Sequence, residues 1–166
     1  MRFGFIQNAG TIAVFAVLLG AFNLMRAQGP FGAPSENSAF SISLAQLIQP
    51  EELNRTLHTA GAEKPLMLQV GSRVLFDQAH IAGSEYAGPG SQAAGLQQIQ
   101  KLVARLTHET PIVLYCGCCP WNRCPNVAPA FRLLQQIGFT RVKVLYLADN
   151  FGADWVSKGY PVERTH

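Results

Sequence analysis

The stretch "PIVLYCGCCPWNRCPNVAPAFRLLQQIGF", residues 111–139, carries the reading of the fold. It begins with an unbroken apolar run, "PIVLYC", the pattern of a strand buried on both faces. It ends in "NVAPAFRLLQQIGF", a helix with Asn126 as its N-cap, Pro129 tolerated in the first turn and Gly138 at its close. Between them all four cysteines of the chain, Cys116, Cys118, Cys119 and Cys124, fall within nine positions. A strand that passes through a loop directly into a helix is the unit from which parallel sheets are wound.

The same alternation extends outward. "KPLMLQV" (64–70) and "RVKVLYL" (141–147) read as two further strands of the sheet. "GLQQIQKLVARLT" is amphipathic, with Leu96, Ile99, Val103 and Leu106 on one face. In "SLAQLIQPEELNRTLHTAG" Pro50 interrupts a largely helical spacing, which predicts a short strand or turn before it and a helix over 51–59. "GSRVLFDQAHIAGSEYAGPG" reads mostly as loop, with room for a helical turn and a short strand near 84–86. "FGADWVSKGYPV" closes the chain with a short helix and a Gly-Tyr-Pro exit. The pattern predicts an α/β domain, a central parallel β-sheet flanked by helices on both faces. Ligands of such sheets bind beyond the carboxyl ends of the strands, where Cys116 falls.

That position suits an activated cysteine. Thiolate is the reactive form, and backbone N–H groups and the positive end of a helix favour it. Arg123 adds a fixed charge able to steer an anionic substrate. A lone cysteine at a strand end is most often inert packing; four in one loop beside an arginine are not.

From about residue 42 to 163 the chain resembles a single rhodanese-like (sulfurtransferase) domain. "KPLMLQV" is similar to the strand that opens that family's core, and His80-Ile81-Ala82-Gly83-Ser84 to its "His-Ile-Pro-Gly-Ala" segment. "PIVLYC" is similar to the strand that delivers the catalytic cysteine, and "IGFTRVKVLYL" and "DWVSKGYPVE" to the last helix–strand step and terminal segment. The resemblance implies a cysteine persulfide that takes sulfane sulfur from a donor such as thiosulfate and passes it to a thiol or cyanide. The expected partners are thus a small sulfur-containing substrate or a thiol-bearing acceptor protein, and no cofactor is expected. The chain also departs from the family pattern. Gln69 and Gly71 stand where an Asp and an Arg usually end the first core strand. The active loop is longer than the usual six residues, and Pro120 and Pro125 each remove a backbone donor from it.

Two registers compete for the nucleophile. The strand register selects Cys116; the family's Cys-x4-Arg spacing selects Cys118, five residues before Arg123. The strand register is preferred, because strands anchor geometry better than loops. Gly117, Trp121 and Arg123 are then the expected substrate-binding residues, and Cys119 and Cys124 resolving or disulfide partners. A metal alternative uses Cys116, Cys118, Cys119 and Cys124 as soft thiolates for Cu(I), zinc or an iron–sulfur cluster, although one proline-stiffened span is cramped for it. A thiol–disulfide exchange protein is a third reading. His80 is expected to organise its loop, Trp155 and Tyr160 to lie in the core, Tyr115 and Tyr146 to serve only as strand residues, and Asp77 and Glu85 to be solvated.

Composition bounds the rest. The chain of 166 residues is 48% apolar and 14% charged, enough for one packed domain. A net charge of +3 without any basic run excludes nucleic acid as an expected partner. Residues 1–28 read as a signal peptide or N-terminal anchor, with Arg2 before the uncharged run at 9–22; this run is the only expected membrane contact, if uncleaved. Residues 29–41, rich in Gly, Pro and Ser, read as a linker, and 42–166 as the domain. The expected location is therefore periplasmic or otherwise outside the cytoplasm, where disulfides are permitted.

Overall fold

A computed structural model describes residues 41–165; the apolar run at 9–22 and most of the linker lie outside them. After a 3-10 turn at Leu44–Gln46 the elements follow in the order β1 (Leu47–Ile48), α1 (Pro50–His58), β2 (Leu66–Gln69), α2 (Arg73–Gln78), β3 (His80–Ile81), β4 (Glu85–Tyr86), α3 (Ala93–Val103), β5 (Ile112–Tyr115), α4 (Val127–Gln136), β6 (Val142–Leu145), α5 (Phe151–Asp154) and β7 (Val162–Glu163). Five strands form one all-parallel sheet in the order β1-β6-β5-β2-β4. The three predicted strands are its centre, in a register that sets Leu68 beside Leu114 and Leu114 beside Val144.

The period of two along each strand divides the core into two layers. Leu68, Val70, Ile112, Leu114, Val142 and Val144 pack with Ile99 and Val103 of α3 and with Val127, Ala130, Phe131 and Leu134 of α4. Met67, Val113, Tyr115 and Leu145 face the other way, against Leu53 of α1 and against Phe151 and Trp155. The expected sheet with helices on both faces is what the chain forms. Cys116 follows β5 in the parity of Ile112 and Leu114, and so points toward the α4 layer.

The short strand and the helix expected on either side of Pro50 are both present, and Pro50 itself occupies the first turn of α1, where its missing N–H has no partner to lose. Two other local expectations change. The segment read mostly as loop holds α2, whose first turn is capped by Ser72 Oγ accepting from the Leu75 N–H at 3.3 Å. Six residues are too few for a helical period to stand out in the sequence. Its following strand β3 pairs antiparallel with β7 in a separate ribbon, His80 beside Glu163, so the terminal exit is in fact a strand.

Candidate active site

β5 ends at Tyr115, and the next residue, Cys116, lies at the carboxyl end of the central strand, only 3% exposed. The chain then turns at Gly117, whose φ of +92° is a conformation glycine adopts without strain. Gly117 offers its carbonyl to the Phe151 N–H at 3.1 Å, which fixes the turn to α5. Beyond it Cys118 is exposed and Cys119 half-buried, and a one-turn 3-10 helix, Trp121–Arg123, leads to buried Cys124 and into α4.

The sulfurs converge. Cys116 and Cys118 Sγ are 3.3 Å apart, and Cys118 and Cys119 Sγ 3.0 Å. The Sγ atoms of Cys116, Cys118 and Cys124 all lie within 4.8 Å of one another. All four cysteines are free thiols, and Cys119 meets Cys118. Asn126 Nδ2 donates to Cys116 Sγ at 3.4 Å, while its Oδ1 accepts from the Ser91 N–H at 3.1 Å and hydroxyl at 2.7 Å. Asn126 thus holds the N-cap position expected of it, yet its side chain does not cap α4 and turns to the thiol instead.

These contacts set the protonation of the thiols. Facing Cys124 above all, and then Asn126 and both the N–H and the thiol of Cys118, bring Cys116 down from 9.0 to about 6, against the opposing effect of its burial. Burial, Cys119 and Cys116 push Cys118 up to about 12, and Cys116 together with burial pushes Cys124 up as well. One thiolate is therefore solvated by neighbouring thiols, a side-chain amide and a single backbone N–H rather than by a ring of backbone donors. Pro120 and Pro125 have no N–H, and the N–H groups of Trp121, Arg123 and Cys124 are bonded to the carbonyls of Leu147, Pro120 and Trp121.

Cys116 lines a cleft of about 500 Å³. Gln69, Gln78 and Asn150 supply polar groups to its wall, Leu75, Phe151 and Val156 apolar ones, and no lysine, arginine, histidine, aspartate or glutamate lines it. Of the expected substrate-binding residues, Gly117 lines this cleft; Arg123 and Trp121 do not. The bond from the Trp121 N–H to Leu147 turns the 3-10 segment away, so the indole packs near Tyr146 and Arg123 is left exposed.

Sequence reasoning missed what surrounds the sulfur. Gln69 is buried; its Nε2 donates to the Cys116 carbonyl at 2.9 Å, and its Oε1 accepts from the Gly71 N–H at 3.1 Å. It ties the β2 loop to the cysteine. A Cβ at Gly71 would stand 2.9 Å from Cys116 Sγ, so the glycine is the space the thiol occupies. Both positions stood out only as departures from a pattern. His80 has a structural role, as expected: it is buried, stacked 3.8 Å from Phe76, and its Nδ1 is 2.7 Å from the Phe76 carbonyl. Tyr115 does more than fill a strand. Its hydroxyl accepts from the Ile81 N–H at 3.1 Å and lies 2.7 Å from Ser84 Oγ, and burial raises it to about 12.

No family model matches the chain, and no curated protein does. Solved structures do. A Bacillus halodurans protein superposes with a TM-score of 0.56 at 22% identity, over 74% of this chain and 79% of its own. The rhodanese-like domain of an Anabaena protein gives 0.53 at 20% identity, over 72% and 79%. A thiosulfate sulfurtransferase from Pseudomonas aeruginosa gives 0.51 at 22% identity, over 72% of this chain and 20% of its own.

Proposed function

From the rhodanese-like fold of this chain and the cysteine lining its cleft, we infer a sulfurtransferase that carries sulfane sulfur on Cys116. The observation that carries the reading is a buried cysteine at the carboxyl end of the central parallel strand, held mainly as thiolate at neutral pH and open to the cleft. The Cys116 thiolate attacks the outer sulfur of the donor, the donor's S–S bond breaks, and the remainder leaves with the electron pair, as sulfite where the donor is thiosulfate. A thiolate acceptor then attacks the outer sulfur of the persulfide and leaves with it, restoring the Cys116 thiolate. Asn126 Nδ2 and the Cys118 N–H remain beside the sulfur throughout.

The uncharged wall bears on the donor. With amides and apolar groups but no cation lining the cleft, an organic persulfide of low charge suits it better than dianionic thiosulfate. We further propose that residues 1–28 export the domain, on the strength of the apolar run at 9–22; cell fractionation tests this, and recovery of the full chain from cytosol alone would overturn it. The catalytic reading is tested by intact mass of the reduced, metal-free chain before and after an organic persulfide or thiosulfate. A gain of one sulfur, about 32 mass units, that is lost in Cys116→Ser and kept in Cys118→Ser and Cys124→Ser is the expected result. A gain that persists in Cys116→Ser and disappears in Cys118→Ser would move the nucleophile to Cys118.

A further inference from the structure

Sulfur transfer is carried on Cys116, and the neighbouring thiols that lower its charge cost are also placed to do more. Three of them come from separate points of the chain: the end of β5, the loop past Gly117, and the residue that closes the 3-10 turn before α4. Their sulfurs nevertheless lie within 4.8 Å of one another. A metal–sulfur bond of about 2.3 Å sets three sulfurs around a trigonal ion roughly 4 Å apart. The triangle already has that scale, and its edge of 3.3 Å between Cys116 and Cys118 has only to open slightly.

Its surroundings are those of a ligand set. Asn126 holds Cys116 Sγ and is itself held by Ser91 through two hydrogen bonds, the kind of outer partner that orients metal-bound groups. The N-terminus of the ten-residue α4 begins within three residues of Cys124, so the positive end of its dipole faces the sulfur charge. Pro120 and Pro125 bracket the turn that delivers Cys124. Cys116 and Cys124 are buried and Cys118 is exposed, which gives the triangle one open side.

We propose that Cys116, Cys118 and Cys124 form a three-thiolate site for Cu(I). The donor set selects the ion: thiolates favour soft cations, a monovalent d¹⁰ ion is content with three sulfurs, and zinc seeks a fourth ligand. Cys119, the remaining sulfur, is not part of the triangle. Binding exchanges the thiol protons for the ion, with no electron transferred. The site goes beyond sulfur transfer and competes with it, because Cys116 serves in both.

The test is an anaerobic titration of the reduced full chain with Cu(I) in the presence of a chromogenic Cu(I) chelator. About one Cu(I) per chain is expected to be withheld from the chelator. Loss of even an outer partner of a metal site costs 10–100-fold, so Cys118→Ser, at an exposed position that folding tolerates, should weaken retention by about 100-fold or more. Cys119→Ser should change it by less than about 3-fold, since a sulfur outside the triangle is not a ligand. Complete surrender of copper by the wild type, equal losses in Cys119→Ser and Cys118→Ser, or equal retention of Zn(II) would overturn the proposal. The persulfide measurement uses metal-free chain. A protein that takes sulfur and yields copper therefore overturns this inference alone, and one that holds copper and takes no sulfur overturns the sulfurtransferase reading alone.

Discussion

Two loops of this domain carry residue types that do chemistry, and they spend them differently. In the segment 80–84 the histidine is stacked on Phe76 and bonded to its carbonyl, and Ser84 and the Ile81 N–H are both taken by the Tyr115 hydroxyl. These polar groups serve the fold. In the loop 116–124 the backbone is equally tied, to Leu147, Phe151 and its own turn, but the four thiols bond chiefly to one another and to Asn126. A reactive side chain signals function where its partners tune its charge and leave it reachable, not merely where it occurs.

The contrast breaks first if Cys116 proves an ordinary thiol. With its value lowered from 9.0 to about 6, the thiolate is lost only as pH falls through about 6. Alkylation of Cys116 by iodoacetamide, followed by peptide mass, should therefore rise with pH to a plateau near neutrality. The thiolate fraction at pH 7 is roughly 100-fold greater than in a thiol titrating near 9. Cys118, pushed up to about 12, should stay largely unlabelled under the same conditions. An inflection near 9 for Cys116 would show that the thiol cluster does not stabilise charge.

The second test works from the other loop. His80→Ala removes a buried ring, its stack on Phe76 and its bond to the Phe76 carbonyl. These together predict a loss of ~2–3 kcal/mol in denaturant unfolding. The molecules that remain folded should take up sulfur as the wild type does. A sulfur adduct lost in a folded, stable His80→Ala chain would give the histidine a chemical role and dissolve the distinction between the loops.

A smaller effect is expected at Asn126. Its hydrogen bond to a charged sulfur, partly open to water, is worth about the 1.4 kcal/mol that corresponds to one pKa unit. Asn126→Ala should thus shift the Cys116 alkylation profile upward by roughly one pH unit, where a purely structural role through Ser91 would leave it in place.

Asn126 also marks the limit of what the sequence discloses. The parallel sheet was legible because "KPLMLQV", "PIVLYC" and "RVKVLYL" are uninterrupted apolar runs, and only strands covered on both faces are written that way. The place of Cys116 followed from the same run. What the sequence could not display were the contacts made across it. Gln69 reaches 47 positions along the chain to the Cys116 carbonyl, and Ser91 reaches 35 to Asn126. The α2 helix showed only as room for a helical turn, for the opposite reason, being too short to show a period. Asn126 could be placed at a helix start by local rules, but those rules cannot say that a nearby thiol will take its amide instead of the backbone.

The smallest effect expected is at the residue the spacing made most prominent. Five residues after Cys118, Arg123 stands where a closing arginine would cradle the persulfide. In the folded chain it sits at the end of a one-turn 3-10 helix, exposed, outside the cleft, and its side chain has no hydrogen bond or ion pair among the described residues. The charge of such a group reaches the sulfur only through water and salt, at a Debye length of about 8 Å in physiological buffer. Exposed pairs of charges are worth about 0.2–1 kcal/mol, so Arg123→Ala should slow sulfur capture from thiosulfate by less than about 5-fold and capture from a neutral persulfide hardly at all. The small difference should grow as salt is lowered, as attraction acting through solvent must. If the variant instead loses thiosulfate capture outright and salt makes no difference, the guanidinium touches the donor. The loop would then close over the cleft when substrate binds, and its polar groups would be tied up as fully as those of the segment 80–84.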